Sequence, residues 1–217
     1  MKEKTVRYST VMISSSAPRP QRVRAVLEAT ATVLVEYGYA ALTVDRIATQ
    51  AQASKATIYK SWPTKTDLVC AVAASTSIVS VPCPALGIDL NEALIEVAEA
   101  VRSVTTGTNG RLLLALHEAS RADLRIAEAV DQYLVIPQRE AISSTLEILR
   151  TQSRIGVDID TGLAARVVAS LVIDRALASG EPVRDDELHR IIAQWIVPVL
   201  SPQVVDGRTL GPTADPG

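Results

Sequence analysis

Residues 41–68 read ALTVDRIATQAQASKATIYKSWPTKTDL. Thr43 has the side chain of a helix N-cap, and a short helical run through Ile47 and Ala48 follows it. Ala51-Gln52-Ala53 is a connector. Ser54 caps a second short helix, Lys55–Ser61, and Trp62-Pro63 ends it. Thr64-Lys65-Thr66-Asp67 resembles a capping box with Asp in place of Glu or Gln, and it starts a further helix to about Ser77. Two short helices joined by a tight turn make a helix-turn-helix arrangement. In the second of them Ser54, Lys55, Thr57, Tyr59 and Lys60 lie outward, while Ile58 points back to Val44, Ile47 and Ala48. A helix that enters a major groove needs this division, with a slim polar face outside and an apolar anchor inside.

Upstream, Val23, Val26, Leu27, Thr30, Val33, Leu34 and Tyr37 recur at spacings of three and four, which is one face of a helix. Pro20 suits its first turn and Gly38 its end. Residues 1–18 read as a loose basic arm carrying Lys2, Lys4 and Arg7, whose apolar run Val11–Ile13 is too short for an export signal. A cytoplasmic location with reduced thiols is therefore expected. Downstream, Val81-Pro82-Cys83-Pro84 breaks the pattern and marks a domain boundary. Helices are expected near 89–105, 109–121, 123–153, 160–179 and 185–200, with Asp89, Asn109, Asp123, Asp160 and Asp185 at their starts. Pro137 should kink the long 123–153 helix. The tail from Ser201 is rich in Pro and Gly and is expected to fray. There is no internal repeat and no convincing strand pair, so the fold class is all-α.

Composition narrows the function classes. The 217 residues are 47% hydrophobic with a net charge of −2. Residues 1–70 hold ten Lys and Arg against five acids, a net of +5, so the remainder carries −7. A basic first third on an acidic remainder suggests that one part meets a polyanion; a solvated basic face is the plainer alternative. No apolar run is long enough to span a bilayer. Two cysteines, Cys70 and Cys83, and two distant histidines, His117 and His189, do not make a disulfide framework or a metal site, so no metal and no cofactor are expected.

The segment 20–70 resembles the DNA-binding domain of the TetR family of transcriptional regulators, on the residues just quoted and above all on SKATIYKSWPTKTDLV. Trp62 resembles the variant of a subgroup with YxxWPxK where most members carry YxHFxxK. Ile136-Pro137-Gln138-Arg139 and Gly180-Glu181-Pro182 are similar to that subgroup's ligand-binding domain. One departure is the turn, where the family usually has Gly-Val and this chain has Gln52-Ala53; strain or a different turn is expected at Gln52.

The resemblance implies an organisation: a flexible arm over 1–18, a helix-turn-helix domain over 19–66, a ligand-binding and dimerisation domain over 67–200 with a connecting helix at 67–80, and a flexible tail over 201–217. It implies phosphate contacts for Thr43, Tyr59 and Lys65. It places Ser54, Lys55, Thr57 and Lys60 toward the groove, with Lys55 and Thr57 at base edges and Arg46 also in reach. Tyr59 also reads as a half-buried core tyrosine, Trp62 as a packing residue, and Lys2, Lys4 and Arg7 either as a solvated tail or as a minor-groove arm.

In the second domain Leu188, Ile191, Ile192, Trp195, Ile196 and Val199 form an apolar stripe, and the 160–179 helix is apolar on two sides. A helix greasy on both sides must be covered on both, by its own domain or by a second copy. In the family these two helices form a four-helix dimer interface, which assigns Val167, Leu171, Asp174, Leu188, Ile191, Ile192, Trp195 and Val199 to it; a larger internal core is the alternative. The same resemblance implies that helices 89–153 surround a ligand pocket, with Val97, Val101, Leu113, Leu116, His117, Tyr133 and Ile136 as candidate lining. The implied function is a ligand-responsive, homodimeric regulator, a repressor released from a palindromic double-stranded DNA operator by a small, mostly apolar effector. The alternatives are a helical ligand-binding protein without operator function, kept open by Gln52-Ala53, and an all-α enzyme, which is disfavoured because the sequence shows no nucleophile–base pair, no metal spacing and no Gly-rich phosphate loop.

Overall fold

The computed structural model describes residues 21–76 and 81–202, together with the backbone of 204–205 and 208–209. The basic arm and most of the tail lie outside the described residues. The chain divides into two compact units, Met1–Ile78 with Ala115–Leu134, and Val79–Leu114 with Val135–Gly217. This differs from the simple cut at 66, because segment 115–134 packs with the first helices.

In the first unit, α1 (Gln21–Ala41) buries Val26, Leu27, Thr30, Val33 and Leu34, the face that the apolar spacing marks. Its helical geometry breaks at Gly38, where φ is +72°. Helix α2 (Val44–Ala51) buries Val44 and Ile47, and α3 (Lys55–Ser61) buries Ile58. Helix α4 (Lys65–Ser75) carries the expected capping box, in which Thr64 and Asp67 satisfy each other's backbone donors. Its continuation at 77–80 lies outside the described residues. Helices α1, α2 and α4 pack together, and α7 (Leu124–Val130) packs on α4 through Ile126, Ala129 and Val130.

The second unit is built on α5 (Leu90–Ser103), α8 (Ile136–Thr151), α9 (Thr161–Ser179), α10 (Asp185–Ile191) and α11 (Val197–Leu200). Leu94, Val101, Ile142, Leu146, Val168, Val172 and Leu188 belong to its core. Asp89 and Asp160 cap α5 and α9 as their chemistry suggests, and Gly180 closes α9 at φ +73°. Helix α6 (Gly107–Ser120) starts two residues before Asn109, and Gly110 sits where a Cβ would lie 2.0 Å from the Thr105 carbonyl oxygen. Asp185 is not a cap; it is the first residue of α10 and pairs with Arg102, whose guanidinium also donates to the Val183 carbonyl.

Two expectations need correction. The single kinked helix over 123–153 is α7 and α8 joined by a wide π turn, Asp131–Val135, with Pro137 in the first turn of α8. The same device recurs at Ile192–Ile196, just ahead of Pro198. A proline has no N–H to donate and its ring crowds the preceding turn, and a widened turn relieves that crowding. The tail also carries a short antiparallel ladder, Val204–Val205 with Arg208–Thr209.

Candidate nucleic-acid interface

The site rests on two caps and one turn. Thr43 accepts from the Arg46 N–H at 3.4 Å, and Ser54 accepts from the Thr57 N–H at 3.1 Å. Between them Gln52 adopts φ 51°, ψ 41°, the left-handed conformation that glycine supplies more easily. The strain expected there is real, and the turn still forms: the Ala53 N–H donates to the Ala48 carbonyl at 3.0 Å across Gln52. Ile47 and Ile58 are fully buried, so α2 and α3 are locked to each other from beneath.

Above that anchor Ser54, Lys55, Thr57, Tyr59 and Lys60 are all exposed. Tyr59 is 48% exposed, which favours the outward reading over the core reading. Trp62 is partly buried, and its N–H closes α3 onto the Ile58 carbonyl. The Ser54 and Thr57 hydroxyls share a 2.8 Å hydrogen bond. Lys55 Nζ lies 2.6 Å from Asp45 Oδ1, and this hydrogen-bonded carboxylate holds the lysine above its ordinary pKa. Arg46 stacks over the Tyr37 ring at 4.2 Å, a cation–π contact on an exposed surface.

Lys65 is placed differently from the other cations. Its Nζ donates to the Tyr39 carbonyl at 3.1 Å and lies 4.4 Å from the Tyr39 ring centre. It is thus engaged with the end of α1, and only part of it is exposed.

A polar junction joins the end of α1 to the starts of α4 and α7. The Thr66 hydroxyl lies 2.9 Å from the Tyr39 hydroxyl and donates to Asp123 Oδ2 at 2.8 Å, while Tyr39 reaches the same oxygen at 3.3 Å. The other Asp123 oxygen caps α7 by accepting from the Arg125 N–H. Arg125 in turn pairs with Asp67 at 2.5 Å. Thr66 first, and then the Arg125 N–H and Tyr39, hold the Asp123 carboxyl below its usual range. Thr64 and then Arg125 do the same for Asp67, and burial pushes the Tyr39 hydroxyl up. The pairings of Tyr37 with Arg46, Tyr39 with Thr66, Asp45 with Lys55 and Asp67 with Arg125 have no local signal in the sequence. Asp123 shows as a helix start, but no local pattern points from it to Thr66, 57 residues away.

The other candidate residues separate. Val97, Val101 and Leu116 are buried in core packing, Leu113 and His117 are partly exposed, and Tyr133 and Ile136 are exposed. The set is divided between the two units and is not brought together in either. The second unit has a small cleft of about 160 Å³ lined by Thr105, Arg111, Leu113, Ala176, Leu177 and Pro182, and Leu113 is the candidate it shares. Of the candidate interface residues, Leu188 and Ile192 belong to the unit's own core and Ile191 packs against it. Trp195 (69% exposed), Val199 (63%), Val167 (44%) and Leu171 (39%) point outward, as do Asp174 and Arg175. The π turn explains the division. It aligns residues four apart, so Leu188, Ile192, Ile196 and Leu200 turn inward and leave Trp195 and Val199 outside.

Among the described residues no group of three or more His, Cys, Asp and Glu could hold a metal, and no helix is long and apolar enough to cross a membrane. Residues 26–72 match the model for bacterial regulatory proteins of the tetR family, and residues 87–195 match the tetracyclin repressor-like C-terminal domain. The chain is 27% identical to the HTH-type transcriptional regulator YdeS of Bacillus subtilis, over 78% of this chain and 85% of that one. It is 26% identical to the DNA-binding transcriptional repressor TetR of Mycobacteroides abscessus, over 83% and 95%. The crystal structure of the TetR family transcription regulator SCO0332 is 27% identical, has a TM-score of 0.58 and covers 84% of this chain and 100% of its own.

Proposed function

Since the chain belongs to the TetR family and is a DNA-binding transcriptional regulator rather than an enzyme, we propose that it acts in the cytoplasm as a homodimeric repressor on a palindromic operator. The observation that carries this is the outer face of α3, five exposed hydroxyl and ammonium side chains standing on a fully buried Ile58. Lys55 and Thr57 take base edges, with lysine donating to guanine O6 or N7. Ser54 and Lys60 face the groove beside them. Thr43, Tyr59 and Arg46 take phosphates, which fix register without reading sequence. Lys65 joins them as well: its ammonium spends one of three donors on the Tyr39 carbonyl, which holds the end of α1, and keeps two for a phosphate.

Two recognition helices need two copies, and the exposed Val167, Leu171, Trp195 and Val199 supply an apolar face for the second one, with Asp174 at its margin. Release by a small, mostly apolar effector completes the proposal. Such a molecule acts by binding one arrangement of the dimer better than another. A chain without phenylalanine offers it an aliphatic lining.

The test is a set of duplexes enriched from a random pool, titrated against the unaltered chain, Thr57→Ala and Lys60→Ala. Thr57→Ala should change preference at one position of each half-site, by about 1–3 kcal/mol. Lys60→Ala should change preference at a neighbouring position or weaken all duplexes alike. Equal weakening of every duplex by Thr57→Ala removes it as a base reader. Binding without any sequence preference would favour a ligand-binding protein without operator function.

A further inference from the structure

Residues 43–61 carry three cations, Arg46, Lys55 and Lys60, and a single acid, Asp45. An acid on a face that approaches a polyanion is unfavourable for binding, so its presence there needs a reason. The first turn of α2 gives one, because a carboxylate is favoured near a helix N-terminus. That does not account for where its side chain goes. Asp45 Oδ1 lies 2.6 Å from the Nζ of Lys55, ten residues on and in the next helix, so the lysine that opens α3 is drawn back to the start of α2. Both side chains are more than half exposed. Pairs of this kind add little to stability, so the contact is not what holds α2 to α3; buried Ile47 and Ile58 do that. What the contact does set is the position of one cation on the reading face.

We propose that Asp45 is a specificity-determining residue that withholds Lys55 from the phosphates of non-operator DNA. The inference rests on α3 being the reading helix. A phosphate is one more acceptor in water, and it must either draw the ammonium away from a carboxylate already in contact or approach beside that carboxylate's negative charge. A guanine edge offers two acceptors at a fixed place, and it displaces the carboxylate when the sequence is right. Specificity is a difference of affinities, so weakening the competitor raises it as surely as strengthening the target. Asp45 touches neither phosphate nor base in this scheme; it acts through Lys55.

The experiment measures the salt dependence of binding to two fluorescent duplexes, one of mixed sequence and one enriched by selection, for the full chain and its Asp45→Asn, Asp45→Glu, Lys55→Ala and doubly substituted variants. Asp45→Asn should bind the mixed duplex a few-fold more tightly at low salt. Its slope of log affinity against log salt should steepen by about 0.9, one added phosphate contact, so that its advantage shrinks about threefold between about 50 and about 200 mM salt. The slope on the enriched duplex should not change. Asp45→Glu keeps the charge and should behave as the unaltered chain. In the Lys55→Ala background, Asp45→Asn should steepen nothing. An unchanged slope in Asp45→Asn, with its helical circular dichroism retained, overturns the inference. Equal steepening with and without Lys55 also overturns it, since the effect would then be the loss of one negative charge from the surface. Failure of the unaltered chain to bind either duplex overturns the reading of α3 and this inference together. Binding with sequence preference but no effect of Asp45 overturns the inference alone.

Discussion

Helices α3 and α9 both present side chains outward from a buried anchor, and they present opposite chemistries. Helix α3 stands on Ile58 and exposes hydroxyls and lysines. Helix α9 stands on Val168 and Val172 and exposes Leu163, Val167 and Leu171. A polar face of this size is at rest in water and is ready for another polar, charged surface. An exposed apolar face is not at rest, and its natural cover is more apolar surface. The contrast separates the part of the chain proposed to read DNA from the part proposed to pair copies.

The largest effect should come from inverting the chemistry of the α9 face. Leu171→Glu places a charge at the proposed interface in both copies, at several kcal/mol each. Sedimentation should then show a dimer for the unaltered chain and a monomer for the variant, with helical content kept. A variant that sediments as the unaltered chain does would remove α9 from the pairing surface.

Next is the anchor beneath α3. Ile58→Ala opens a cavity under α3 and should destabilise the first unit by about 2–5 kcal/mol in denaturant unfolding, with loss of DNA affinity. If DNA affinity persists, the outer face does not depend on its anchor.

The junction at Thr66 should matter less. Thr66→Val removes the buried hydroxyl shared by Tyr39 and Asp123, for about 0.5–1.5 kcal/mol. The pH dependence follows from the same groups. Asp67 and Asp123 have folded pKa values below their unfolded ones. Their contribution is therefore present above about pH 4 and is lost as pH falls through the folded values. Acid unfolding, followed by circular dichroism, should begin at higher pH in Asp123→Asn than in the unaltered chain. The reverse order would mean that the carboxylate is not stabilising the fold.

The smallest effect should be at the turn. Gln52→Gly removes left-handed strain and adds chain entropy to the unfolded state, for a net gain of up to about 1 kcal/mol, or a few degrees in Tm. A loss of stability there would show that the Gln52 side chain contributes a contact that outweighs its strain.

What was legible in the sequence was the local chemistry. The caps at Thr43, Ser54, Thr64, Asp89, Asp123 and Asp160 depend on donors two or three residues away, so spacing alone reveals them. The face of α1 and the stop at Gly38 depend only on period and on backbone freedom. Contacts across long separations were not legible, as with Tyr39, Thr66 and Asp123, or Arg102 and Asp185. The π turns were also hidden, although a proline lies just beyond each. That omission matters for the candidate interface. At a regular 3.6-residue period Leu188, Ile192, Trp195 and Val199 share a stripe; the widened turn gives the first two to the core and leaves the last two outside.

The most direct measurement is a selection of random-sequence duplexes by the purified full chain at near-physiological salt, with the winning sequences read out. A dimer that uses α3 should enrich two inverted half-sites with centres about one helical turn, or a multiple of one, apart. Enrichment of a single unpaired site, or of no sequence at all after bound small molecules have been stripped by unfolding and refolding, would contradict it.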